Sequence, residues 1–134
     1  MKRKEPIPEI TPLPSPTAVL VLKTESRTLY ASLEDNAAAK TLTDKLRPTV
    51  IALKAQGSEC GYLCALPFAL PRCDAQINVH PGDILLCDGG LEICASERSG
   101  LFTRIARFGN TCAEKLAEAF GTGGNVRLSL EWSE

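Results

Sequence analysis

Residues 18–46 have the sequence AVLVLKTESRTLYASLEDNAAAKTLTDKL, which predicts two strands followed by a helix. Residues 18–23 are a short apolar run bounded by polar residues, which is typical of a strand. After a polar turn, residues 28–33 alternate apolar with polar side chains, so they should bury one face of a second strand. The two segments together predict a β-hairpin.

The first helix is predicted over residues 37–46. Asp35 or Asn36 can cap it, since a short polar side chain accepts a hydrogen bond from a free amide of the first turn. Pro48 should end it, because the residue before a proline avoids helical backbone angles. The predicted buried face comprises Ala38 or Ala39, Leu42 and Leu46.

The rest of the chain continues as short strands with one more helix. Six further strands are predicted over residues 49–55, 58–65, 84–87, 91–95, 102–108 and 126–132. The turn between the first two of these should lie at Gln56 and Gly57, and residues 67–81, with three prolines, should be irregular. The hairpin of 84–87 and 91–95 turns at the DGG sequence of residues 88–90.

The second helix has the clearest signals in the sequence. Residues 111–114 (TCAE) match a capping box, in which a threonine and a glutamate satisfy two free amides, and Gly121 provides the end. Its predicted apolar face comprises Ala113, Leu116, Ala117 and Phe120.

Eight short strands and only two helices predict a mainly β protein. Two helices are too few to cover both faces of an open sheet, so the pattern favours an antiparallel barrel or sandwich, with helices closing the open ends of a barrel. The length of 134 residues, with 44% hydrophobic and 23% charged, fits one globular domain over 18–134. Fifteen basic and sixteen acidic residues give a net charge of −1, which provides no electrostatic footprint for nucleic acid or an anionic membrane.

Residues 1–17 form a proline-rich N-terminal arm that contains five of the nine prolines. Proline fixes φ and lacks an amide donor, so the arm should be extended; it could be a tail or a ligand for another protein. The basic start Lys2, Arg3 and Lys4 is followed by EPIPE instead of an apolar run, so no secretory signal is predicted and a cytoplasmic location is expected.

The six cysteines predict neither a metal site nor a disulfide framework. They are Cys60, Cys64, Cys73, Cys87, Cys94 and Cys112. No C-x-x-C pair occurs and the single histidine, His80, lies apart, so no cofactor or metal is expected. We expect free thiols that act as small apolar side chains, with Cys87 and Cys94 of the hairpin as the pair best placed to be an exception.

Three short motifs carry a resemblance to a known family. They are residues 33–42 (LEDNAAAKTL), residues 57–62 (GSECGY) and residues 81–84 (PGDI). In their order and spacing they resemble the cyclophilin-like domain proteins, small bacterial and archaeal proteins of unassigned function. The resemblance covers residues 18–133 and implies a cyclophilin-like eight-stranded antiparallel barrel with two capping helices.

The resemblance implies a fold more than an activity. Prolyl isomerases of the cyclophilin type use an arginine, a glutamine and aromatic residues around an apolar groove. With Gln56 expected in a turn and Gln76 in the proline-containing stretch, that set is not placed here. We therefore expect binding without isomerase chemistry.

The candidate ligand-binding residues are Glu59, Tyr62 and Arg72. Glu59 and Tyr62 could converge on a ligand in the barrel mouth, or could be a solvated residue and a core tyrosine. Arg72 could neutralise an acidic ligand or be a solvated loop residue, and Asp83 is expected to cap a turn.

The predicted function is the binding of a small molecule or short peptide at a barrel pocket. The alternatives are a weak peptidyl-prolyl isomerase, an unrecognised hydrolase, and an interaction module that uses the arm.

Overall fold

The computed structural model describes residues 17–25, 27–46, 50–58, 61–87, 90–108, 111, 113–121 and 123–133. The proline-rich arm, apart from Thr17, and Pro48 lie outside the described residues. The described elements, in chain order, are β1 Thr17–Lys23, β2 Thr28–Leu33, α1 Ala37–Leu46, β3 Ile51–Ser58, β4 Gly61–Ala65, β5 Ala75–Val79, β6 Asp83–Cys87, β7 Gly90–Cys94, β8 Arg98–Phe102, β9 Arg104–Phe108, α2 Ala113–Phe120 and β10 Gly123–Ser133.

Eight of the strands close into one antiparallel barrel, which confirms the predicted fold class. Their order around the barrel is β1-β10-β3-β4-β7-β6-β9-β2, and β1 pairs with β2 to complete the circuit. Within the described residues, each barrel strand therefore pairs with a neighbour on both sides over at least part of its length. The largest fully buried side chains of its core include Leu20, Leu22, Ile84, Leu91, Ile93 and Leu128.

Two strands outside the barrel were missed by the sequence prediction. β5 lies within the stretch of residues 67–81 that was expected to be irregular, and it pairs with β8 in a separate two-stranded sheet. The strand predicted over 102–108 is present as β9 but begins at Arg104, because Phe102 ends β8 and Thr103 lies between the two strands. The small sheet covers the outside of the barrel and buries Val79, Leu85 and Cys94 in a second cluster.

The predicted turn at Gln56 and Gly57 is also wrong. β3 continues through Ser58, and Gln56 and Gly57 pair with Leu63 and Tyr62 of β4. Glycine is a turn signal because it adopts unusual backbone angles, but here Gly57 continues the β3–β4 ladder.

α1 confirms its predicted limits and buried face. The Asn36 side-chain oxygen accepts a hydrogen bond from the Ala39 amide at 2.9 Å, so Asn36 is the cap. Its side-chain nitrogen donates to the Arg104 carbonyl at 2.8 Å, which fixes the start of the helix to β9. The buried residues are Ala38, Ala39, Leu42 and Leu46.

α2 ends at Phe120 as predicted, but its buried face is turned slightly. Leu116 and Phe120 are buried as expected, whereas Ala117 is exposed and Ala119 takes its place in the core. The apolar spacing of the helix is compatible with the burial of either Ala117 or Ala119, and the packing of α2 on the barrel buries Ala119. Gly121, with a φ of 61°, ends the helix as its amide donates to the Ala117 carbonyl at 2.7 Å.

Candidate functional site

An apolar cavity of about 230 Å³ lies beside the β6–β7 hairpin, and Arg72 lines it. The other lining residues are Leu66, Phe68, Ala69, Leu70, Leu86, Cys87 and Gly90. Residues 66–72 follow β4 and connect it to β5, so the cavity lies between this connection and the ends of β6 and β7. We name it the Arg72 cavity.

Close backbone packing shapes the hairpin side of the cavity. Gly90 pairs with Ala65 of β4, and a Cβ atom on Gly90 would collide with the Cys64 carbonyl oxygen. Any larger residue at this position would push β4 and β7 apart. On the other side, the Phe68 ring lies 5.7 Å from Lys45 Nζ of α1, which links the cavity wall to the helix.

The Arg72 guanidinium group is oriented by Asp74. Arg72 Nε and Nη2 donate to the two carboxylate oxygens of Asp74 at 3.2 and 3.3 Å. The Thr103 hydroxyl donates to Asp74 Oδ1 at 2.6 Å and accepts from the Cys73 amide at 2.7 Å. The hydrogen bond from Thr103, and then Arg72, hold the pKa of Asp74 below its ordinary value. Arg72 is thereby anchored through Asp74 to the buried Thr103, although its own side chain is half exposed.

Tyr62 lies in the core at the other end of β4. Its ring packs on Phe120 of α2, with centroids 5.1 Å apart and planes tilted by 30°. Its hydroxyl donates to the Gly121 carbonyl at 3.1 Å. Tyr62 does not line the Arg72 cavity, so these two predicted site residues are not brought together there. Glu59 lies outside the described residues.

A second polar group, missed in the sequence, lies on the outside of the barrel. Glu92 of β7 is buried, and its carboxylate accepts from Arg98 Nη2 at 2.5 Å. Arg98 also reaches Cys94 Sγ at 3.8 Å and lies over the Phe102 ring at 4.9 Å. The sequence signal for this group is that Glu92 is the one charged residue in the otherwise apolar β7, GLEIC. A charged side chain in such a strand indicates a buried charge, and a buried charge needs a partner.

The pairing registers extend this polar group into a row across three strands. Gln56 of β3 lies opposite Leu63 of β4, and Leu63 lies opposite Glu92. Directly paired residues share a sheet face, so Gln56 and Leu63 lie on the same outer face as Glu92. Leu63 is 37% exposed, which makes it one of the exposed large apolar residues on the described surface.

Asp83 caps a turn, as predicted, but is also buried in an ion pair. Its Oδ2 accepts from the His80 amide at 3.1 Å and from Arg104 Nη1 at 3.2 Å. Arg104 Nε lies 3.4 Å from Glu34 Oε2, so the arginine bridges two carboxylates. The arrangement fastens β6 to β9 and to the residue after β2.

The described cysteines are free thiols, as expected. They are Cys64, Cys73, Cys87 and Cys94. The suggested exception, a Cys87–Cys94 pair, is wrong, because Cys87 lies opposite Gly90 and Cys94 follows Ile93 at the other end of the hairpin. Within the described ranges, no three potential ligands form a metal-binding group.

The comparison with protein families agrees with this architecture. A model of the cyclophilin-like family matches residues 22–131, which includes every barrel strand in whole or in part. The chain belongs to the cyclophilin-like family. No curated protein and no solved structure matches this cyclophilin-like chain. Neither helix in the described part of the chain is long and apolar enough to cross a membrane.

Proposed function

We propose that this cyclophilin-like barrel binds a small molecule or short peptide that carries an acidic group, in the Arg72 cavity. The observation that carries the proposal is one guanidinium group on the wall of an otherwise apolar cavity. Small-molecule sites commonly combine an apolar lining with a few polar groups that set orientation. A cavity of roughly 150 Å³ can hold benzene, so about 230 Å³ suits a small organic group or one side chain of a peptide.

The existing partner of Arg72 sets how an acid would bind. Asp74 binds one edge of the guanidinium through Nε and Nη2 and so holds Arg72 in one orientation. A guanidinium that is already held in place loses less conformational entropy when an acid binds, which lowers the entropic cost of binding. Substituting Asp74 should therefore weaken the binding of an acid, even though it removes a competing negative charge.

A ligand screen by thermal shift tests the proposal. The full chain is screened against small carboxylic acids, their neutral amides and short acidic peptides, because a ligand that binds only the folded state raises the melting temperature. Arg72→Ala should abolish stabilisation by any acid that binds, while Arg127→Ala, which changes an exposed arginine on β10, should not. Stabilisation that is equal for acids and amides, or unchanged in Arg72→Ala, would reject the Arg72 cavity as the site.

We also predict that Tyr62 and Glu59 contribute to ligand binding, and two further variants test this prediction separately. Tyr62→Phe keeps the ring in the core and removes only the hydroxyl. If Tyr62 contacts the ligand, this variant and Glu59→Gln should each weaken the stabilisation that Arg72→Ala abolishes. Unchanged stabilisation would assign Tyr62 to the core alone.

A second candidate function is weak peptidyl-prolyl isomerisation on the outer face. The observation in its favour is the row of Gln56, Leu63 and Glu92, which spans roughly 10 Å at the usual strand spacing and has Arg98 beside it. A hydrogen bond from a cation to the prolyl nitrogen reduces the double-bond character of the peptide C–N bond, and this lowers the barrier to cis–trans rotation. A protease-coupled assay with a proline peptide should then show acceleration that Arg98→Lys reduces and Arg72→Ala leaves unchanged. No acceleration by the unmodified protein would remove this candidate.

A further inference from the structure

We propose that a second cavity, between β2 and α2, binds a small aromatic anion. The cavity has a volume of about 380 Å³, and its main lining residues are Arg27, Leu29, Tyr30, Phe108, Lys115 and Glu118. It shares no lining residue with the Arg72 cavity, so it is a separate site. We name it the Lys115 cavity.

The cavity lies where the ladder between β2 and β9 stops. The first pair of that ladder is Ala31 with Phe108, the last residue of β9. Residues 28–30 of β2 still pair with β1, but within the described chain they have no ladder partner on the other side. α2 approaches this gap through Lys115 and Glu118. The gap leaves strand backbone and apolar side chains accessible to a ligand.

The floor and wall of the cavity suit an aromatic ring. Phe108 is buried beneath it and Leu29 is half-buried, so both offer apolar contact. Tyr30 is 52% exposed, which makes it one of the large apolar side chains that the barrel leaves uncovered. An exposed tyrosine beside an apolar floor can stack on a planar ligand, and an aromatic pair of this kind adds attraction beyond its buried area.

The charges of the cavity select an anion. Arg27 and Lys115 contribute two positive charges and Glu118 one negative charge, so the lining carries +1 on a chain whose net charge is −1. Lys115 has no acidic partner among the described residues. Arg27 is paired with Glu118 at 2.9 Å, but both side chains are more than half exposed. Such exposed pairs are weak, so a ligand carboxylate can compete with Glu118 for Arg27.

Titration of the ¹⁵N-labelled full chain with phenylacetate, and with phenylacetamide as the neutral control, tests the proposal. Phenylacetate should shift the amide resonances of residues 27–30 and 113–118, and phenylacetamide should bind more weakly. Lys115→Gln should weaken phenylacetate binding about threefold, the scale of one exposed charge contact. Tyr30→Ala should weaken both ligands, because it removes the stacking wall.

Glu118→Gln provides the decisive variant. It frees Arg27 and removes the one negative charge of the lining, so it should strengthen phenylacetate binding about threefold. Lys54→Gln, on an exposed position of β3, is the control for a change of net charge and should have no effect. Equal binding of the acid and the amide, shifts confined to the Arg72 cavity, or no gain in Glu118→Gln would each overturn the proposal.

Discussion

The hydroxyl of Tyr62 donates a hydrogen bond to the carbonyl oxygen of Gly121 at 3.1 Å, which joins the barrel wall to the end of α2. Gly121 is the residue that directly follows α2, so this hydrogen bond fixes the point where the chain leaves the helix. The tyrosine ring also packs on Phe120, so one side chain holds the helix through both its polar and its apolar parts.

Tyr62→Phe and Tyr62→Ala should therefore differ strongly in stability. The phenylalanine variant loses a single hydrogen bond to an exposed residue, which costs about 0.5–1 kcal/mol, at the low end for such bonds. The alanine variant also leaves a cavity beside Phe120 and should cost about 3–5 kcal/mol. Urea unfolding measures both; equal costs would show that ring packing contributes little.

Removing only the arginine of the Glu92–Arg98 pair should destabilise the fold more than removing both charges. Arg98→Met leaves the buried Glu92 carboxylate without its cation, which should cost about 2–3 kcal/mol, below the fully buried range because Arg98 remains 29% exposed. The double variant Glu92→Gln, Arg98→Met removes both charges and should cost less than Arg98→Met alone. A thermodynamic cycle from urea unfolding measures the coupling.

The exposed Arg27–Glu118 pair is the matched control for that cycle. Its side chains are 53% and 59% exposed, so Arg27→Met should cost less than about 1 kcal/mol. If the two arginine variants lost equal stability, burial would not be the cause of the Glu92 effect.

Asp74 should make the fold sensitive to acid. Thr103 and Arg72 lower the pKa of Asp74 in the folded state below the ordinary value of 3.8, so the unfolded state binds a proton first as the pH falls. The stabilisation is complete above the unfolded pKa and is lost as the pH falls through the folded pKa. From pH 6 to pH 3, the melting temperature should therefore fall further in the unmodified protein than in Asp74→Asn. Parallel curves would mean that Asp74 contributes no pH dependence.

The barrel strands could be predicted from the sequence because the alternation of apolar and polar residues is visible within each short segment of the chain. The apolar positions of residues 28–33 and the helix face at Leu42 follow from periodicity alone, and the structure confirms them. β5 could not be predicted, because only Val79 of its five residues is buried, and that burial depends on the distant β6 and β7. A strand whose core contact is made by another part of the chain has no strong pattern of its own.

The candidate sites were harder to predict than the fold for a related reason. Arg72 could be singled out as a cation in a loop, but its link to Thr103 joins residues 31 positions apart. The Lys115 cavity depends on where β9 ends relative to β2, and no local signal reports that register. The glycine that follows Gln56 predicts a turn at this position, so the sequence does not indicate that Gln56 pairs with Leu63.

The buried thiols should make the protein less stable in alkali. Burial raises the pKa of the Cys64 thiol to about 11, and burial with the nearby Glu92 raises that of Cys94 to about 12. The folded state therefore keeps these protons when the unfolded state, with an ordinary pKa of 9.0, has released them. The free energy of unfolding should fall above about pH 9, by up to about 1.4 kcal/mol per pH unit for each thiol.

Cys64→Ala should flatten that decline even if it lowers stability at pH 7, because alanine has no proton to lose. The same burial should protect Cys64 and Cys94 from a thiol reagent at pH 8, while the half-buried Cys73 and Cys87 react first. Peptide mass spectrometry after timed labelling identifies each site, and a denatured sample gives the full extent of labelling. Labelling of Cys94 as fast as Cys87 would contradict the burial on which both expectations rest.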